Sequence, residues 1–193
     1  MFLYGASGHG KVVKEILDSQ NIVVDGFVDD DISLDSFMGL TVFHSSKDLD
    51  SVIVSIGNNS IRKRIVNQLT CGFEKAIHPT AIVSTSAIIG EGTVIMPGVI
   101  INADARIGRH CIINTGASID HECVIGDFVH VAPHASLCGQ VHVGEGSLIG
   151  VGVSVIPCIR IGEWCVIGAG AAVVKCIPSY STALGVPAKI IKK

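Results

Sequence analysis

Residues 107–142 read IGRHCI-INTGAS-IDHECV-IGDFVH-VAPHAS-LCGQVH, six consecutive sixes that each open on Ile, Val or Leu. Extended in both directions, the register does not slip. The first position is aliphatic in seventeen sixes, from Ile77 to Val173, and the fifth is small or aliphatic from Ala81 to Ile177. A second period lies over the first, because Gly90, Gly108, Gly126, Gly144 and Gly162 recur every eighteen residues. Three sixes therefore make one coil, which is the repeat signature of a parallel β-helix. The fifth position and the next first position are two apart, so in a strand they face the same way, into the core. The third and fourth positions become corners, and Pro79, Pro97, Pro133 and Pro157 (third) with Gly92, Gly98 and Gly116 (fourth) suit them.

Sorting the outward positions by eighteen separates the sides of this triangle. The sixth positions Val94, Ile112, His130, Leu148 and Val166 form an apolar side, which is expected to be an oligomer interface. One corner, Glu91, Arg109, Asp127, Glu145 and Glu163, is charged and expected to be wet. A second, Pro97, Thr115, Pro133, Val151 and Ala169, is uncharged and narrow enough for a thin flexible ligand. The third, Thr85, Ala103, His121, Gly139 and Pro157, is broken by His121 and the adjoining Glu122. An imidazole can serve as a general base near neutral pH, and a carboxylate beside it orients it and raises its basicity. A solvated corner with no role is the alternative. Asn114 and His130 lie on the apolar side, so they can approach His121 only across a subunit boundary. That register points to a site shared between the chains of a cyclic trimer.

Before the repeat, residues 1–76 alternate strand and helix, the pattern of a small parallel α/β unit. Strands are expected over 2–4, 22–28 and 52–56. Helices are expected after Gly10 and over 60–69, the latter with Ile61, Ile65, Val66 and Leu69 inward and Arg62, Lys63 and Arg64 mostly outward. The turn Gly5-Ala6-Ser7-Gly8-His9-Gly10 exposes backbone N–H groups at a helix N-terminus, a geometry that binds phosphate. Asp29 and Asp30, about twenty residues on, suit recognition of a hydroxyl or a base. The glycine spacing is not that of a dinucleotide fold, and a turn without a ligand is the other reading. Gly57 and Asn58 end the third strand at the same carboxyl edge, where open α/β sheets bind ligands.

Composition sets the outer bounds. Of 193 residues, 48% are hydrophobic and 16% charged, which excludes disorder and allows a large core. The net charge of −3 gives no reason to expect nucleic acid. No apolar run is long enough to span a bilayer, and no signal peptide is evident, so a cytoplasmic protein is expected. Seven Cys without a CxxC pair read as reduced, mostly buried thiols rather than disulfides or a metal site.

The segments YGASGHGKVV (4–13), FVDDD (27–31), IGNNSIRKRI (56–65), INTGASIDHECVIGDFVHVAPHASLCG (113–139) and GVPAK (185–189) give the chain a specific character. It resembles the sialic-acid O-acetyltransferase family of left-handed β-helix acyltransferases. Within that family it resembles the trimeric N-acetyltransferases of UDP-linked 4-amino-4,6-dideoxy sugars. The resemblance covers nearly the whole chain. It implies a small Rossmann-like α/β domain with a parallel sheet (1–76), a left-handed parallel β-helix of hexapeptide repeats (77–178), and a tail (179–193) that covers the coenzyme. It implies acetyl-CoA as donor, no metal, and UDP-4-amino-4,6-dideoxy-N-acetylglucosamine as first-choice acceptor. His121 would be the general base, Glu122 its partner and Asn114 a close neighbour. Ser7, Gly8 and His9, Asp29 and Asp30, with Gly57 and Asn58, would hold the sugar nucleotide; His130, Val151 and Ala169 would hold acetyl-CoA. The stretch 33–47 is the least recognisable and is where substrate differences are expected. Rival readings are a sugar O-acetyltransferase, a GDP-perosamine-type N-acetyltransferase, a zinc hydrolyase of the carbonic-anhydrase type using several of His110, His121, His130, His134 and His142, and a scaffold without catalysis.

Overall fold

The computed structural model describes residues 1–46 and 49–192. The N-terminal unit is a sheet in the order β3-β4-β2-β1-β5-β6. Its strands are β1 (Phe2–Tyr4), β2 (Gly26–Val28), β3 (Ser36–Phe37), β4 (Leu40–Phe43), β5 (Ser51–Val54) and β6 (Gly72–Phe73). β1 lies between β2 and β5, parallel to both. Helix α1 (Gly8–Ser19) buries Val13, Ile16 and Leu17 on one face, at the spacing an amphipathic helix requires. Helix α2 (Asn59–Val66) starts on an Asn58 cap whose Oδ1 accepts from the Ile61 N–H at 3.0 Å.

Several sequence expectations are corrected here. The second strand is shorter than 22–28, because Ile22 and Val23 are exposed and only Gly26–Val28 pair in the sheet. The stretch 33–47, whose last residue lies outside the described ones, holds the hairpin β3–β4 that extends this sheet. On α2, Ile61 points outward at 38% exposure, whereas Arg62 is the buried residue at 1%.

From Ala76–Ile77 to Ala172–Val173, seventeen two-residue strands follow one another every six residues. They stack in three parallel sheets, in a left-handed β-helix, with residues eighteen apart in register: Ile95, Ile113, Val131, Ile149 and Ile167 form one inward column. Every fourth position from Gly92 to Gly170 has a φ between 52° and 68°. Eight of these corners are not glycine: Asp104, His110, Glu122, Phe128, His134, Gln140, Cys158 and Trp164. That backbone region costs an L-residue about 1–2 kcal/mol. The corners hold it through the ladder bonds that tie each to the coil before it, such as the Gln140 N–H to the His121 carbonyl at 2.9 Å. Beyond the last coil, Thr182–Leu184 pairs with the 166–167 strand and Lys189–Lys192 pairs back on it, antiparallel.

The apolar side does not face a partner along its whole length. Val94 and Ile112, each 1% exposed, are buried in the same apolar cluster as Val13, Ile16 and Leu17 of α1. The chain's own N-terminal unit therefore covers that end of the side. Leu148 is half-buried and Val166 exposed.

Candidate active site

The loop after β1 is braced from below. The Ala6 N–H donates to Asp29 Oδ2 at 2.7 Å, and the Asp31 N–H donates to Asp29 Oδ1 at 3.0 Å. Both Asp29 oxygens are thus engaged within the chain, which makes this carboxylate a brace for the loop. The Tyr4 hydroxyl donates to Asp30 Oδ1 at 2.6 Å; burial, then Asp30, pushes that phenol far above its ordinary range. Ser7 and Gly8 are exposed at the start of α1. His9 turns inward, with Nε2 buried and without a hydrogen-bond partner among the described residues. Burial, then His130 and Arg62, lowers its pKa to about 4.

Across the domain junction stand His130 and Asn114. The Thr115 N–H donates to Asn114 Oδ1 at 2.8 Å, which fixes the amide so that Nδ2 meets His130 Nε2 at 3.1 Å. An amide nitrogen only donates, so Nε2 of a neutral His130 accepts. Burial first and Arg62 second lower the His130 pKa to about 4, against a hydrogen bond with the Gly57 backbone that favours the charged ring. Beside His130 lies a cleft of about 340 Å³ lined by Gly57, Asn58, Asn59, Leu148 and Trp164. Asn58 shows it a helix cap, its side-chain oxygen being taken by Ile61 and Ser60. Val151 and Ala169 are exposed on the uncharged corner.

His121 and Glu122 lie at another corner. His121 Nδ1 is 3.2 Å from Glu122 Oε2, and the same oxygen accepts from Gln140 Nε2 at 2.9 Å. Gln140, then His121, holds the Glu122 carboxyl below its usual range. From the coil before, Asn102 Nδ2 donates to Asp120 Oδ1 at 2.8 Å, and that oxygen also accepts the His121 N–H at 2.8 Å. The ring itself lies over Gly139, where an added Cβ would meet Nε2 and Cε1 at 2.5 Å. The dyad is therefore held from both neighbouring coils. Asn102, Gly139 and Gln140 escaped sequence reasoning, although each stands eighteen residues from the group it serves, a spacing that could have found them.

Within one chain the structure joins His9, Gly57, Asn58, Asn114 and His130, and keeps His121–Glu122 apart from them. Among the described residues, no group of three or more His, Cys, Asp or Glu is placed to hold a metal ion, and no helix is long and apolar enough to cross a membrane.

Comparison with known proteins places this geometry. Residues 1–69 match the PglD N-terminal domain, and residues 86–121 match the bacterial transferase hexapeptide family of six repeats. A mutant perosamine N-acetyltransferase from Caulobacter crescentus, solved with CoA and GDP-perosamine, is 38% identical with a TM-score of 0.95 over 100% of this chain and 96% of that one. The acetyltransferase domain of PglB from Neisseria gonorrhoeae FA1090, solved with acetyl coenzyme A, is 36% identical with a TM-score of 0.90, covering 98% of each chain. UDP-N-acetylbacillosamine N-acetyltransferase of Bacillus subtilis (strain 168) is 46% identical over 108 residues, a match that takes in 49% of this chain and 50% of that protein.

Proposed function

This chain belongs to the hexapeptide-repeat N-acetyltransferases of nucleotide-linked amino sugars, and from that premise we propose that it transfers acetyl from acetyl-CoA to the 4-amino group of such a sugar. The full-length likeness is to amino-sugar enzymes, which favours an amine over the hydroxyl acceptor of a sialic-acid-type enzyme. UDP-4-amino-4,6-dideoxy-N-acetylglucosamine is the acceptor put first, supported by the 46% identity to the bacillosamine enzyme. The perosamine relative, alike over the whole chain, supports a GDP-linked 4-amino sugar as the second reading.

The observation that carries the mechanism is the His121–Glu122–Gln140 relay. The neutral amine attacks the thioester carbonyl carbon, His121 Nε2 takes the proton from the amine, and Glu122 at Nδ1 steadies the imidazolium. The C–S bond breaks as the tetrahedral adduct collapses, and the proton passes to the leaving thiolate. A positioned base of this kind contributes about 10²–10⁴-fold. Ser7, Gly8 and His9 with Asp30 hold the nucleotide, with Asp29 bracing their loop, and Gly57 and Asn58 line the sugar end. His130, Val151 and Ala169 line acetyl-CoA. Asn114 and His130 come to His121 from the neighbouring chain of a homotrimer, and acetyl-CoA as donor puts the reaction in the cytoplasm.

His121→Ala is the test, with UDP- and GDP-linked amino sugars and their hydroxyl analogues as acceptors. Turnover falls by at least about 10²-fold while acetyl-CoA still binds; wild-type turnover would remove the base assignment, and preference for the hydroxyl analogue would reverse the acceptor.

A further inference from the structure

Arg62 is a large polar side chain buried between the two units of the chain. It is 1% exposed, and burial lowers its pKa only to about 10, so it remains a cation at neutral pH. Its guanidinium makes five hydrogen bonds. Nε donates to the His110 carbonyl at 2.8 Å, and Nη1 to the carbonyls of Ile56 and Gly57 at 2.8 and 3.2 Å. Nη2 donates to Asn59 Oδ1 at 2.8 Å and to the Phe128 carbonyl at 2.9 Å. His110 and Phe128 are successive turns of one corner; Ile56 and Gly57 follow β5, and Asn59 opens α2. No carboxylate pairs with it among the described residues.

A buried cation without a counter-ion is a costly way to join two units. Desolvation costs several kcal/mol, and apolar packing would serve adhesion as well or better. The acceptors indicate what the charge does. Gly57 takes a bond from Arg62 and lines the same cleft as His130, whose backbone N–H donates to the Ser147 carbonyl at 3.0 Å. His130 in turn accepts from Asn114, whose amide is fixed by the Thr115 N–H. Arg62 thus reaches, through Gly57, the wall of the cleft on which His130 stands with Asn114. Asn59 is a second link, since its Nδ2 donates to the carbonyls of Gly146 and Ser147 on the β-helix at 3.0 and 3.3 Å.

We propose that Arg62 is the positioning residue of the cleft: by clamping the Gly57 carbonyl to the β-helix, it fixes the His130 imidazole in the single tautomer that accepts from Asn114. This rests on the acetyl-transfer reading only for its kinetic consequence, because the state of the His130 ring can be read without substrate. Lysine in place of Arg62 keeps the charge but has three donors for five acceptors. The clamp on Gly57 would slacken, and misplacement of a reacting group by about 1 Å costs up to about 10²-fold.

The experiment uses the full-length chain as wild type, Arg62→Lys, Arg62→Met and Asn59→Ala, the last keeping the guanidinium and removing one of its acceptors. The ring nitrogens of His130 are followed by ¹⁵N NMR from pH 5 to 8, beside thermal unfolding and acetyl transfer. The wild type should show one non-titrating tautomer with the proton on Nδ1. Arg62→Lys should show a mixture of tautomers and a kcat/KM about 10- to 100-fold lower. If the Arg62 variants fail to fold, Asn59→Ala gives the same readout and should show the same mixture in milder form. A folded variant set with the wild-type tautomer would overturn the proposal and leave Arg62 a structural clamp. Absence of acetyl transfer in every protein, with the tautomer still responding to Arg62, would overturn the proposed function alone.

Discussion

Gly139→Ala should disable the chemistry while leaving the fold intact. The backbone at 139 lies outside the left-handed region, so alanine is permitted there and gains about 0.4–1 kcal/mol by restricting the unfolded chain. The obstacle is the His121 ring. The new Cβ would lie 2.5 Å from Nε2 and Cε1 of His121 and 3.2 Å from Cδ2, against about 3.5–4.0 Å for an ordinary contact. The imidazole must therefore withdraw by about 1 Å. It can do so cheaply, because its side chain is 54% exposed and can swing into solvent. A base misplaced by that amount loses about 10²-fold in rate, or about 2.7 kcal/mol of transition-state stabilisation. The assay is steady-state release of the CoA thiol, with thermal unfolding as control, in wild type, Gly139→Ala, His121→Ala and the double variant. The double variant should be no slower than His121→Ala. Wild-type turnover in Gly139→Ala refutes the reasoning, and so does a further 10²-fold loss in the His121→Ala background, since the alanine would then act elsewhere than on the ring.

Gln140→Leu removes the largest cause of the low Glu122 pKa, so the Glu122 carboxyl should take up its proton at higher pH when followed by ¹³C NMR; an unmoved titration would count against the Gln140 contact as its cause. His110 is buried with a pKa of about 4 against an ordinary 6.5. The unfolded state takes up the proton first, so stability is complete above about pH 6.5 and declines as pH falls toward about 4. Urea midpoints over that range should slope less in His110→Phe, and an equal slope would exclude this ring as a contributor. Ile113→Ala, at a fully buried column position, should cost about 2–5 kcal/mol in the same denaturation. Analytical ultracentrifugation at micromolar concentration should return a trimer, and a fully active monomer would remove the shared site.

The fold was legible because a solenoid writes its geometry along the chain. A coil of three sixes puts core residues at fixed intervals, so Ile95, Ile113 and Val131 announce their stacking by number alone. The same arithmetic placed His121–Glu122 on one corner and His130 on the apolar side. It failed where contacts join segments of different period. Arg62 sits in a helix whose polar stripe reads as solvent-facing, yet its acceptors at 110 and 128 belong to the solenoid. Asp29 reads as a ligand for substrate, and the spacing does not reveal that Ala6 and Asp31 donate to it. The hairpin β3–β4 has strands of two and four residues, too short for alternation to announce them.

The exposed groups also bear on where the reaction takes place. In one chain the His121 side chain is about half in water. His130, joined to Asn114, stands on a different side and faces a cleft. Flanking the His121 corner, the adjacent sides carry exposed Ile82, Ile88, Ile100 and Val124, apolar surface for which solvent is a poor neighbour. A second copy laid against those sides would cover the isoleucines and bring its own corner toward His121. Acyl transfer to an amine at a solvated base competes with hydrolysis, and exclusion of water protects the thioester. The apolar burial that drives association and the dryness that the chemistry needs are then consequences of one contact. An oligomer built on that contact would in this sense be a part of the active site that no single chain contains.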